Sequence, residues 1–234
     1  LVPERESSKD ASGGGLSFDK GSIYVVTGFG EVFRINSEDG NVIWKRKLDA
    51  PISAPPTVGH NLLYIITKDN GVWALNKKVG DIEWFRDGSP SKSVIIGGAA
   101  VALVDGLVII PGGSGEVMAV LRDTGSKVWS NFVTGYRAGK GYANFSNITS
   151  DPVVKGNDVY VGNQSGALAS IDIKSGLTNW ISRNGSSSPV WVDNDSVFLI
   201  SDQAELLRLD LKTGVTVWTK KLTYFVNSQK KNRS

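Results

Sequence analysis

Arg208-Leu209-Asp210-Leu211-Lys212-Thr213-Gly214-Val215-Thr216-Val217-Trp218 is the stretch on which the reading of the fold turns. An aliphatic and a polar residue lead into a turn closed by glycine, and a tryptophan follows four residues later. That order describes two strands joined by a tight hairpin. The same register recurs at Gly40/Trp44, Gly80/Trp84, Gly125/Trp129 and Gly176/Trp180. Nine residues before each tryptophan stands Ile35, Leu75, Val120, Ile171 or Leu209, and next to it Asn36, Asn76, Leu121, Asp172 or Asp210. Leu121 alone breaks the polar pattern. Upstream come small-residue turns at Gly30, Asn70-Gly71, Gly115, Gly166 and Ala204, each preceded by a β-rich run such as Ile23 to Val26 or Val159 to Val161. The tryptophans are 40, 45, 51 and 38 residues apart. No segment sustains a helical period, so helices are expected to be almost absent.

A period near 40 residues with about four short strands per unit predicts an all-β fold, a β-propeller of four-stranded blades with five repeats. Each indole has a structural task in such a ring: a flat side chain on an outer strand wedges between neighbouring sheets and buries up to ~250 Å². Trp44, Trp84, Trp129, Trp180 and Trp218 are therefore expected as inter-blade residues. The organisation predicted is an N-terminal segment over 1–15, blades over 16–224, and a basic tail or the start of a further blade over 225–234. A Gly-rich start and a basic stop favour an arc of a larger ring over a closed ring of five.

Composition narrows the function. The 234 residues carry 26 Lys+Arg against 23 Asp+Glu, a net charge of +3, too balanced for a nucleic-acid surface. Zero cysteine excludes disulfides, a thiolate nucleophile and Cys-based metal sites. The longest apolar runs are far shorter than a membrane span.

The Gly-x-x-x-Trp unit resembles the repeat of quinoprotein-type (PQQ-like) propellers, most clearly at Ala169 to Gly176 and Arg208 to Gly214. Gly28 to Val32, Ser114 to Val120, Ser146 to Val154 and the closing Leu222-Thr223-Tyr224 resemble the BamB-type lipoproteins of the outer-membrane β-barrel assembly machinery. That resemblance implies an eight-bladed ring of which five blades are legible. It also implies a periplasmic, outer-membrane-associated location and a non-enzymatic scaffold that binds the POTRA domains of the central assembly protein. Any lipid anchor would lie outside this chain. Two further readings stay open: a quinone-dependent dehydrogenase or a fragment of one, and a luminal adaptor of the secretory pathway.

Enzymatic constellations are weak. Hard-cation binding needs convergent oxygen ligands, whereas the acidic residues here are spread over turns, so no cofactor and no metal is expected. His60, the one histidine, lies in a hairpin turn, where a solvated role is the ordinary one. Gly112 to Gly115 is Gly-rich, but no helix follows to offer its dipole to a phosphate. Six Asn-x-Ser/Thr triplets, from Asn144 to Asn232, would matter in a secretory-pathway protein.

Two connections interrupt the repeat length, and long connections on a rigid scaffold are where recognition concentrates. One runs over 86–97; the other, over 135–151, carries Tyr136, Arg137, Tyr142 and Phe145. Val94 to Ile96 can also be read as the inner strand of the third blade. The family contacts its partner through a Leu-x-Leu-Arg-Gly and an Asp-x-Asp segment, which fall on Ser93 to Gly97 and on Asn147-Ile148-Thr149. The Arg has become Ile96, and both Asp positions are uncharged. The resemblance thus implies a partner site of Ile95, Ile96, Gly97, Asn147 and Thr149, apolar and hydrogen-bonding rather than ionic.

Overall fold

A computed structural model of the chain describes residues 13–88, 98–135, 147–163 and 165–222. They form five four-stranded antiparallel sheets, each ordered as in the sequence. Blade 1 comprises β1 (Gly14–Asp19), β2 (Ser22–Thr27), β3 (Glu31–Asn36) and β4 (Val42–Lys47). Blade 2 comprises β5 (Thr57–Val58), β6 (Leu62–Ile66), β7 (Val72–Asn76) and β8 (Ile82–Arg86). Blade 3 comprises β9 (Ala102–Val104), β10 (Leu107–Pro111), β11 (Glu116–Leu121) and β12 (Lys127–Phe132). Blade 4 comprises β13 (Val153–Lys155), β14 (Asp158–Asn163), β15 (Ala167–Asp172) and β16 (Thr178–Ser182). Blade 5 comprises β17 (Trp191–Asp193), β18 (Ser196–Ile200), β19 (Glu205–Asp210) and β20 (Thr216–Lys221). A single 3₁₀ turn at Gly113–Gly115 is the one helical element among the described residues.

The expected all-β, five-repeat propeller fold is what the chain adopts. The repeating hairpin between third and fourth strands has the predicted chemistry. Gly40, Gly80, Gly125, Gly176 and Gly214 all have φ between +68° and +80°, a left-handed conformation that glycine enters without steric cost. A register shift follows in every blade, between Arg34/Ile35, Ala74/Leu75, Ala119/Val120, Ser170/Ile171 and Arg208/Leu209. One bulge at one place per blade re-aims the fourth strand and sets the tryptophan opposite the residue ten positions before it.

The core lies between blades. Leu63, Ile65 and Leu75 of blade 2 pack with Tyr24, Val26 and Val32 of blade 1 in one buried cluster. Because sheets are covered on both faces, β6 is buried at every residue and shows no alternation. Each indole locks onto the next blade. Nε1 of Trp44, Trp84, Trp129 and Trp180 donates to the carbonyls of Lys77, Arg122, Ile173 and Leu211, at 3.2, 2.9, 2.7 and 2.9 Å. Each acceptor stands three residues before the next blade's turn glycine, and that glycine lies flat against the ring. A Cβ on Gly80, Gly125, Gly176 or Gly214 would come within 2.4–2.8 Å of the indole.

Two expectations change. Trp218 is 40% exposed, against 8% for Trp84, Trp129 and Trp180, because among the described residues no following hairpin covers it. Second, β1 begins at Gly14, inside the segment assigned to 1–15, because ladder pairing of Gly14 with Thr27 needs only backbone. Among the described residues the first strand of blade 3 is β9, and Val94 to Ile96 lie outside them. The tail 225–234 and residues 1–12 lie outside the described residues.

Candidate functional site

Antiparallel order puts the first–second and third–fourth turns of every blade at one end. The second–third turns and the connections between blades lie at the other. The latter end carries a small cleft of about 50 Å³ where blades 2, 3 and 4 meet. Its wall comes from the turn after β6 (Thr67, Lys68, Asn70), the turn after β10 (Pro111 to Gly113) and the connections Gly98-Ala99 and Asn147 to Thr149.

Asn147 and Thr149, both expected at the site, therefore sit together in it. Ile95, Ile96 and Gly97 lie outside the described residues. Their neighbour Gly98 lines the cleft and donates its N–H to the Ser53 carbonyl at 2.9 Å. The two connections are tied to each other, since the Ala100 N–H donates to an Asp151 carboxylate oxygen at 2.6 Å. Ser53, Gly98 and Thr149 each stand 31 residues before their blade's tryptophan, and all three line the cleft. Equivalent repeat positions thus converge on one surface.

Local hydrogen bonds set the polar groups. The Asn147 side-chain oxygen accepts the Ser114 N–H at 3.0 Å, which holds the amide across the blade 3 turn. Ile148 is buried and bridges to Asn163, so it anchors the segment rather than presenting itself to solvent. The Thr149 hydroxyl is buried and has no hydrogen-bond partner among the described residues. A buried hydroxyl left unpaired costs about 1–3 kcal/mol, which an incoming donor or acceptor would recover. Ser53, Lys68 and Asn70 were not legible as site residues. The signal for Asn70 was its Asn-Gly turn, where it takes φ +63°.

Catalytic chemistry finds little to work with. Among the described residues, no group of three or more His, Cys, Asp and Glu could hold a metal ion. The perturbed carboxylates belong to turns: hydrogen bonds from Ser175 hold Asp172 below its ordinary range, and Thr213 does the same for Asp210. Tyr64 is pushed upward by burial.

Residues 4–220 match the family model described as outer membrane protein assembly factor BamB. The chain belongs to the BamB family. It is 26% identical over 187 residues to the outer membrane protein assembly factor BamB of Yersinia pestis, covering 80% of this chain and 48% of that protein. The chain thus spans about half the length of the curated BamB relatives it matches. BamB from Moraxella catarrhalis superposes with a TM-score of 0.80 at 22% identity, over 90% of this chain and 64% of that one. Quinohemoprotein alcohol dehydrogenase from Comamonas testosteroni gives 0.74 at 15% identity, over 91% of this chain and 44% of that one. At those identities the likeness is one of fold. No helix of the described residues is long and apolar enough to cross a membrane.

Proposed function

We propose that this BamB-family chain is a non-enzymatic docking scaffold of outer-membrane protein assembly, at work in the periplasm. Its partner is the POTRA-containing central assembly protein. The observation that carries this reading is the family match over residues 4–220. The likeness to a quinohemoprotein dehydrogenase, at 15% identity, is one of fold alone.

The partner site we propose is the end of the blades that carries the cleft, with Asn147 and Thr149, together with Ile95, Ile96 and Gly97, which precede Gly98 in the sequence and lie outside the described residues. Its support is convergence: Gly98 and Thr149 hold equivalent repeat positions and line one cleft. The unpaired Thr149 hydroxyl offers a hydrogen bond, and Ile95 and Ile96 are residues of the kind that form the apolar centre of a modest interface. The test is a pull-down with the partner's POTRA domains, comparing Ile95→Asp, Asn147→Lys and the control Asn61→Lys. Asn61 is exposed in the turn between β5 and β6, at the opposite end of the blades. Loss of capture by the two site variants and retention by the control is expected. Equal capture by all three would refute the site.

A further inference from the structure

The opposite end of the blades holds a larger hollow, about 400 Å³, formed by the turns of blades 1, 2 and 3. Lys20, Lys77 and Arg122 line it, together with His60 and the carboxylates Asp19 and Asp105. Two positions face each other: the residue 25 before a blade's tryptophan, and the residue three before the next blade's turn glycine. Two of the junctions between blades show what can fill the space there, while the junction of blades 4 and 5 has Lys155 and Leu211 at the same positions.

Between blades 1 and 2 these are Asp19 and Lys77, ion-paired at 2.7 Å with only 27% and 13% of their side chains exposed. Lys77 also donates to the Gly59 carbonyl at 3.2 Å, so the ammonium is held from two blades. Between blades 3 and 4 the pair is Val104 and Ile173, packed together in one apolar cluster. Between blades 2 and 3 the cation is present as Arg122, but the facing residue is Gly59, which has no side chain. The hollow opens at this junction. Among the described residues the ion-pair partner of Arg122 is its neighbour Asp123, which meets Nε at 3.2 Å and is itself 79% exposed. An exposed pair of that kind is worth little, and it leaves the two Nη groups of the guanidinium as a fork suited to a second carboxylate.

We infer that this hollow is a carboxylate-binding site, in which a carboxylate from outside the chain takes against Arg122 the place that Asp19 takes against Lys77. Lys20 adds charge from the rim, and Lys77 is already committed to Asp19. The chemistry fits a small polycarboxylate or the acidic side chain of a bound peptide. It is independent of the docking surface, which lies at the other end of the blades.

Two probes separate the sources: malonate, and a blocked tripeptide with a central aspartate. Each is titrated into the 234-residue chain by calorimetry, with ionic strength held constant by chloride. Binding by the wild type is expected, with affinity lowered at least about tenfold in Arg122→Ala, the scale of a lost charge-assisted pair. Gly59→Asp should lose the response as well, since its own carboxylate would fill the place. The new Cβ comes within 3.1 Å of Leu103 Cδ1 and Tyr64 Cε2, both side-chain atoms that can yield. Circular dichroism verifies that each variant is folded, and Arg122→Ala decides should Gly59→Asp not be. Binding of malonate alone identifies free small carboxylates as the ligand class; binding of the tripeptide identifies acidic side chains. No binding of either probe to the wild type, or undiminished binding to Arg122→Ala, would overturn the assignment.

Discussion

Gly176 shows how much one missing methyl group decides here. Its φ of +74° is matched by Gly40, also at +74°, yet their surroundings differ. A Cβ on Gly176 would lie 2.6 Å from the Trp129 ring, while one on Gly40 meets nothing within 4 Å. Both alanine variants bear the left-handed conformation, roughly 1–2 kcal/mol. Gly176→Ala must also displace an indole, adding about 1–3 kcal/mol of overpacking. Urea unfolding should therefore rank Gly176→Ala well below Gly40→Ala in stability, and equal midpoints would count against the ring-on-glycine contact. Asp19 gives a second handle. The hydrogen bond from Lys77, helped by its charge, holds the Asp19 carboxyl below its ordinary value. A depressed carboxylate stabilises the fold above its unfolded pKa of about 4, and that contribution disappears as pH falls through the folded value. The stability gap between wild type and Asp19→Asn, followed by urea midpoint, should be present at neutral pH and close as acid protonates Asp19. A gap that stays constant down to low pH would mean the pair contributes through packing alone.

The blades are joined by a device that pairs a readable residue with an unreadable one. Trp129 is visible in sequence, and its wedge was expected; its acceptor, the Ile173 carbonyl at 2.7 Å, was not, because any residue supplies a carbonyl. The same holds for a second link, in which Arg46 and Arg86 donate to the carbonyls of Gly80 and Gly125 at 2.8 and 3.1 Å. Asn131 does the same work toward Gly176 at 2.8 Å, so charge is not the conserved feature of the position across blades. Turn glycines, strand order and the repeat were all legible, since each leaves a local mark. The exposure of Trp218 was not, since it depends on what lies beside blade 5 rather than on blade 5 itself. Trp129→Ala should cost ~3–5 kcal/mol, the range for a buried aromatic that leaves a cavity. Trp218→Ala should cost less than about 1 kcal/mol, as for a surface change. Comparable losses in the two variants, measured by urea denaturation, would contradict the one-sided lock.

Taken as a whole, the five sheets present two ends, each carrying a proposed site. One gathers equivalent repeat positions around a narrow cleft; the other holds a hollow lined by Arg122, with Gly59 at the position that Asp19 occupies in blade 1. The first was partly legible, because Asn147 and Thr149 could be placed by register, although Ile95, Ile96 and Gly97 lie outside the described residues. The second was hidden in Gly59, which stands where blade 1 has Asp19 and acquires meaning only once Arg122 is found lining the same hollow. The proposed docking at the cleft would draw on apolar and neutral polar groups, with Lys68 the one charged residue in its lining among the described residues. Association should for that reason respond weakly to salt, unlike an electrostatically steered contact. The most direct measurement is a calorimetric titration of the partner's POTRA domains into this chain at low and high salt, with Thr149→Lys alongside. Saturable binding is expected, with an affinity that changes little between the two salt concentrations and is lost in Thr149→Lys. Absence of binding by the wild-type chain, or full affinity in a folded Thr149→Lys, would contradict the proposed docking.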